Sequence, residues 1–156
     1  GDAATGRPAG RDDQAPAVAE PPAGGGRWAH GRTVATSKEI DAELKQDGSE
    51  IGPGCRATVL FHEPGFDTVL IMLEPAARGK PSELTEVNSS DFDMLYFVQE
   101  AEEGKVEFEL AEPRGGPRSQ RLQQGSEVVA YAGASYTVRN LSRSTNAKLV
   151  AVVPHL

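Results

Sequence analysis

Residues 125–140 read GSEVVAYAGASYTVRN, and this stretch decides the fold class. Val128 to Tyr131 is a short hydrophobic strand, Ala132-Gly133 a tight turn, and a second strand follows through Tyr136 and Val138. Glycine at 133 suits a turn that needs positive φ, and Gly125 opens the first strand in the same way. The spacing is also specific. A glycine is followed by five residues, the triplet Tyr131-Ala132-Gly133, two residues, the aromatic Tyr136, three residues and Asn140.

Short strands and turns continue outward from this hairpin. RATVLFHE (56–63) and DTVLIMLEP (67–75) read as two strands joined across Pro64-Gly65-Phe66. A loop at 75–90 separates them from DMLYFVQE (93–100). KVEFEL (105–110) alternates strictly, with Val106, Phe108 and Leu110 on one face. A Pro/Gly/Arg loop, a strand near Arg121-Leu122 and a last strand AKLVAVV (147–153) complete the series. Many short strands at close spacing predict an all-β sandwich or barrel.

The N-terminal third is different. Residues 1–26 are built from Gly, Ala, Pro, Arg and Asp with Val18 as the one large aliphatic, too little apolar surface to offset the entropy of ordering. The chain is therefore divided into a tail at 1–31, a short strand and helix at 32–53, and the β domain at 54–156. Trp28, alone in GGGRWAH, is expected to pack on the edge of that domain. Thr36-Ser37-Lys38-Glu39 matches a capping box, and Ile40 and Leu44 share a face of the helix that follows, to about Lys45. Gly52-Pro53-Gly54 ends this region.

Composition bounds the function. The chain has 156 residues and a formal net charge of −7, which argues against a nucleic-acid surface. No apolar run approaches the ~20 residues needed to span a bilayer, and no signal peptide is recognisable, so a soluble intracellular protein is expected. The single cysteine, Cys55, reads as a buried apolar residue. Asp91 and Asp93 alternate around Phe92 but read as a solvated strand entry. The glycines at 24–26 lack the context of a phosphate loop. Ser126 and Ser135 have no histidine at a suggestive spacing, and no two of His30, His62 and His155 are close in sequence. No catalytic residue, metal or cofactor is predicted.

Three strands are apolar on both faces: VLIML (69–73), MLYFV (94–98) and LVAVV (149–153). A sheet dry on both sides needs a second cover. The helix supplies part of it, and a second copy of the chain is the economical source of the rest. Val69, Leu70, Ile71, Met72, Leu73, Leu149, Ala151 and Val153 are the candidate interface residues. Replacing Leu70 by Glu is expected to give folded monomers.

The spacing in 125–140 resembles the second motif of the cupin family, with Gly125, Tyr131, Gly133, Tyr136 and Asn140 as its structural positions. Tyr131 stands at the proline position, and Tyr136 stands where metal-binding cupins carry histidine. Counting back from Phe97-Val98, the resemblance puts the other ligand positions at Val87, Ser89 and Met94. This set is not expected to hold a metal. VLIMLEP, MLYFVQE and GASYTVRNLS are together similar to the C-terminal cupin domain of the centromere protein C family, over more than half of the chain. That resemblance implies a cupin-type jelly roll and a non-enzymatic homodimerisation module of an inner-kinetochore scaffold. It places the module in the nucleus at the centromere, with kinetochore and centromeric chromatin proteins reached by other parts of a longer chain and no direct nucleic-acid or membrane binding here. The alternative is a metal-free cupin, regulatory or isomerase-like, that binds a sugar or other small metabolite near Tyr136.

Overall fold

The computed structural model describes residues 33–89, 91–111 and 118–155. The expected tail at 1–31, with Trp28 and the glycines at 24–26, lies outside the described residues, as does nearly all of the 113–118 loop.

Helix α1 (Ser37–Asp47) starts at its capping box. Thr36 Oγ1 accepts the Glu39 amide at 3.2 Å, and the Thr36 amide donates to Glu39 Oε1 at 2.9 Å. Two helix-end donors are thereby satisfied within one turn. Residues 33–35, expected in a strand, form none. They lead into the cap instead, and Ala35 packs at the helix–sheet seam.

Ten strands follow among the described residues: β1 (Ser49–Gly52), β2 (Cys55–His62), β3 (Phe66–Leu73), β4 (Ser82–Glu86), β5 (Met94–Glu100), β6 (Val106–Ala111), β7 (Arg118–Leu122), β8 (Glu127–Ala130), β9 (Ser135–Asn140) and β10 (Ala147–Pro154). They form a six-stranded sheet in the order β1-β2-β3-β10-β5-β8 and a four-stranded sheet in the order β4-β9-β6-β7. The result is the all-β jelly roll expected from the sequence, with its short N-terminal helix.

Two strands escape the sequence reading. β4 lies inside the expected loop at 75–90, because SELTE carries a single large apolar residue. Its pairing with β9, Leu84 opposite Val138, makes it a strand. β1 pairs with β2 through a turn at Pro53-Gly54, which the sequence reads only as a helix breaker. Gly54 has φ 67°, and a Cβ there would collide with Ser82 Oγ, so the turn admits no side chain.

The main core lies between the sheets. Cys55, Ile71, Leu73, Val98 and Leu149 of the six-stranded sheet meet Leu84, Val106, Leu122, Tyr136 and Val138 of the other. A second cluster forms on the outer face of the six-stranded sheet, where Ile40 and Leu44 of α1 cover Leu60 and Leu70, flanked by Met72 and Val150. Asn140 fastens the sheets together. It is 1% exposed, and its Nδ2 donates to the carbonyls of Leu73, Glu74 and Thr145 at 3.0, 3.1 and 2.9 Å. Its Oδ1 accepts the Ser142 amide at 3.1 Å. The final residue of the Gly125–Asn140 motif is therefore a side-chain tie between β9 and the end of β3.

Candidate functional site

Tyr136 enters the barrel interior from the start of β9. It is buried, stacks on Phe108 at 5.5 Å, and meets Tyr96 edge-on at 5.9 Å. The two phenol oxygens lie 2.5 Å apart. Burial pushes the Tyr96 hydroxyl far up from its usual range, and the Tyr136 bond adds to this. Burial likewise raises Tyr136, against the hydrogen bond from Tyr96. Both phenols are neutral acids at physiological pH, held in aromatic surroundings.

Of the four motif positions in which metal-binding cupins carry ligands, the structure leaves Val87 exposed and keeps the other three at or near Tyr136. Val87 is 70% exposed, Met94 packs partly against the core, and Ser89 lies against Tyr136. An aliphatic, an alcohol, a thioether and a neutral phenol make a poor donor set for a divalent ion. An open pocket of about 370 Å³ is lined by Tyr136 and Val87 together with Thr85, Glu86, Glu109, Ser135 and Thr137.

Asp93 braces the β8–β9 turn, where its Oδ1 accepts the Ala132 amide at 2.9 Å. Gly133 has φ 80° and Gly125 φ 91°, and Tyr131 is 68% exposed beside that turn. Cys55 is fully buried, and burial pushes its thiol up to about 12, so it stays protonated and unreactive.

The structure resolves which way the two-faced strands point. Ile71, Leu73, Leu149 and Ala151 are buried between the sheets, with Val69 and Val153 packed beside them. Leu70 points outward but is 0% exposed, because α1 lies over it and over Met72. The second cover expected from a partner is thus supplied at Leu70 and Met72 by the chain's own helix, and a glutamate at 70 would be buried rather than exposed. A different stripe on the same face is only half-buried, with Val129 exposed. Leu95, Phe97 and Val152 alternate with the inward-facing Tyr96, Val98 and Ala151, and the register sets Leu95 between Val152 and Val129. None of Leu95, Phe97, Val129 and Val152 belongs to either core cluster. Val129 is 46% exposed, and Phe66, which pairs with Pro154 at the same end, is 41% exposed. The alternation of residues 94–98 already carried this signal, but which face α1 covers could not be read from it.

The structure also brings together His62 and His155, which are far apart in sequence, on either side of Asp67. Pairing of β2 and β10 with β3 produces that meeting.

Comparison with solved structures shows the fold. A cupin domain from Bordetella pertussis matches 69% of this chain and 100% of its own at a TM-score of 0.50 and 16% identity. The cupin domain of Schizosaccharomyces pombe Cnp3 matches 69% of this chain and 66% of its own at 0.50 and 15% identity. Hydroxypropylphosphonic acid epoxidase from S. wedmorenis matches 81% of this chain and 61% of its own at 0.54 and 11% identity. No protein-family profile and no curated protein matches the sequence. The chain has the cupin fold. The expectation of a non-enzymatic chain is corrected by the epoxidase: an enzyme shares this fold, so the fold gives no ground for setting catalysis aside.

Proposed function

We propose that this domain associates with a second copy of itself through the outer face of its six-stranded sheet, beside α1. The observation that carries this reading is the apolar stripe of Leu95, Phe97, Val129 and Val152, which neither core cluster includes. An isologous contact would lay the stripe on its own copy and remove both from water. The resemblance to centromere protein C domains supports placing such a dimer in a centromeric scaffold in the nucleus. The fold shared with the Cnp3 domain is compatible with that placement. Its further partners would be kinetochore and chromatin proteins held by other segments of a longer chain.

Light scattering of the whole chain over a dilution series tests the reading. The expected mass is twice 16.5 kDa, falling to 16.5 kDa in Leu95→Glu and Val152→Glu with the circular dichroism spectrum unchanged. A wild-type monomer at every concentration would remove the proposal.

One observation favours a second reading. The pocket beside Tyr136 combines hydroxyls with the carboxylates of Glu86 and Glu109, a lining suited to a polyhydroxylated metabolite. A sugar that raises the melting temperature by several degrees, and fails to do so in Glu109→Ala, would support it.

A further inference from the structure

We propose that His62, Asp67 and His155 form a binding site for a divalent transition cation of the zinc class at one end of the barrel. None of the three lies on a cupin motif position. They come from the end of β2, the start of β3 and the residue just beyond β10.

The backbone sets up the meeting. β2 carries an extra residue at Leu60: Val59 pairs with Val69, but Phe61 pairs with Thr68. A bulge of this kind reverses the alternation beyond it and re-aims a side chain. Without it, His62 would point to the outer face. With it, His62 sits directly opposite Asp67, which in turn is opposite Val153. The His155 amide donates to the Gly65 carbonyl at 2.9 Å, and the Glu63 amide to the Phe66 carbonyl at 2.9 Å, so the hairpin and the end of β10 form one frame.

Asp67 Oδ1 lies 2.6 Å from His62 Nδ1 and 3.0 Å from His155 Nε2. One donor atom from each residue lies within 4.8 Å of the other two. A tetrahedral zinc ion with bonds of about 2.0–2.1 Å holds its ligands about 3.3 Å apart, within small side-chain movements of this arrangement. The imidazole rings are tilted by 51° with centroids 5.4 Å apart, so they do not stack face to face.

Proton placement points the same way. His155 Nδ1 lies 3.3 Å from the Pro64 carbonyl, which can only accept, so Nδ1 carries the hydrogen. In that tautomer Nε2 is the lone-pair nitrogen, and it is the atom that faces Asp67 Oδ1. Fixing the Nδ1–H on a carbonyl is the usual way to present Nε2 to a metal. The side chains of His62, Asp67 and His155 are 32%, 23% and 31% exposed, which leaves an entry path and a fourth coordination position for water. Two imidazoles and one carboxylate favour zinc, nickel or copper over magnesium or calcium.

Equilibrium dialysis of the full chain against Zn2+ tests the site. One ion per chain is expected, with no competition from excess Mg2+ or Ca2+. His155→Ala and Asp67→Asn should each weaken binding at least tenfold, and His155→Ala keeps the backbone bond to Gly65 and so the fold. His30→Ala, outside the described residues, should leave binding unchanged. The proposal is overturned if zinc does not bind stoichiometrically or if binding survives His155→Ala. It is equally overturned if the ring resonances of His62 and His155 titrate with pH but ignore zinc, since a proton alone would then bridge the rings and the carboxylate.

Discussion

Arg139 and Leu70 each sit in the middle of an outward face, one on each sheet, and their surroundings are opposite. The Arg139 guanidinium bonds Glu83 and Glu107 at 3.1 Å and Glu109 at 2.6 Å, with Arg121 a further 3.8 Å from Glu107. Glu109 foremost, then Glu107 and Glu83, push its pKa up against the cost of partial burial. That face needs only water beyond it. Leu70 has Leu60 on the neighbouring strand and Ile40 and Leu44 of α1 above it, and no exposed surface remains. The same pleated geometry thus supports a two-layer wall on one side and a three-layer wall on the other. Side-chain chemistry at every second residue decides which.

One kind of substitution, made on both faces, breaks the comparison most sharply. Leu70→Glu buries a carboxylate beneath α1 and should cost at least about 4 kcal/mol, enough to abolish a cooperative melt. Thr85→Lys, on the wet face of the four-stranded sheet, should change stability by no more than about 0.5 kcal/mol. A folded Leu70→Glu protein would mean that α1 does not cover the sheet.

The joint between the sheets comes next. Asn140→Leu leaves the Leu73, Glu74 and Thr145 carbonyls without their shared donor and should cost about 3 kcal/mol, read from the urea midpoint. Its effect should exceed that of any single change at Arg139, whose pairs are partly open to water.

The buried core also predicts an alkaline limit. Cys55 shifts from an ordinary 9.0 to about 12, so between these values the folded state holds a proton that the unfolded state has released. The Cys55 contribution should therefore be flat below pH 9 and fall by at most about 1.4 kcal/mol per pH unit as pH rises toward 12. Tyr96 and Tyr136, raised in the same direction, add to the loss above their ordinary value of 10.0. Chemical denaturation at successive pH values would show this, and Cys55→Ala should flatten the segment between pH 9 and 10.

The smallest effect is at the start of the third layer. Thr36→Ala removes the acceptor for the Glu39 amide and should cost about 1 kcal/mol by thermal melt. A larger loss would show that α1 covers its cluster only when capped.

Most of the fold was legible because β-structure writes a period of two into the chain. Residues 105–110, 94–98 and 147–153 were readable as strands from side chains alone, and the capping box marked the start of α1, whose end at Asp47 lies two residues past the expected one. β4 and β1 were not readable, because polar, short edge segments become strands only when a neighbour offers a ladder. Of the candidate site, the tyrosine at 136 and the asparagine at 140 could be named from spacing. Their roles, an aromatic plug and a tie between sheets, depend on Tyr96 and Leu73, which are 40 and 67 residues away.

The amino-acid order by itself therefore determined the fold class, the helix start, the turn glycines and the presence of strands apolar on both faces, since each rests on patterns within a few residues. Tertiary structure alone decided that α1 covers Leu70, that Leu95 and Val152 lie outside both core clusters, and that a bulge turns His62 toward Asp67 and His155. These are consequences of register and layer order, set by long-range pairing that no local pattern encodes.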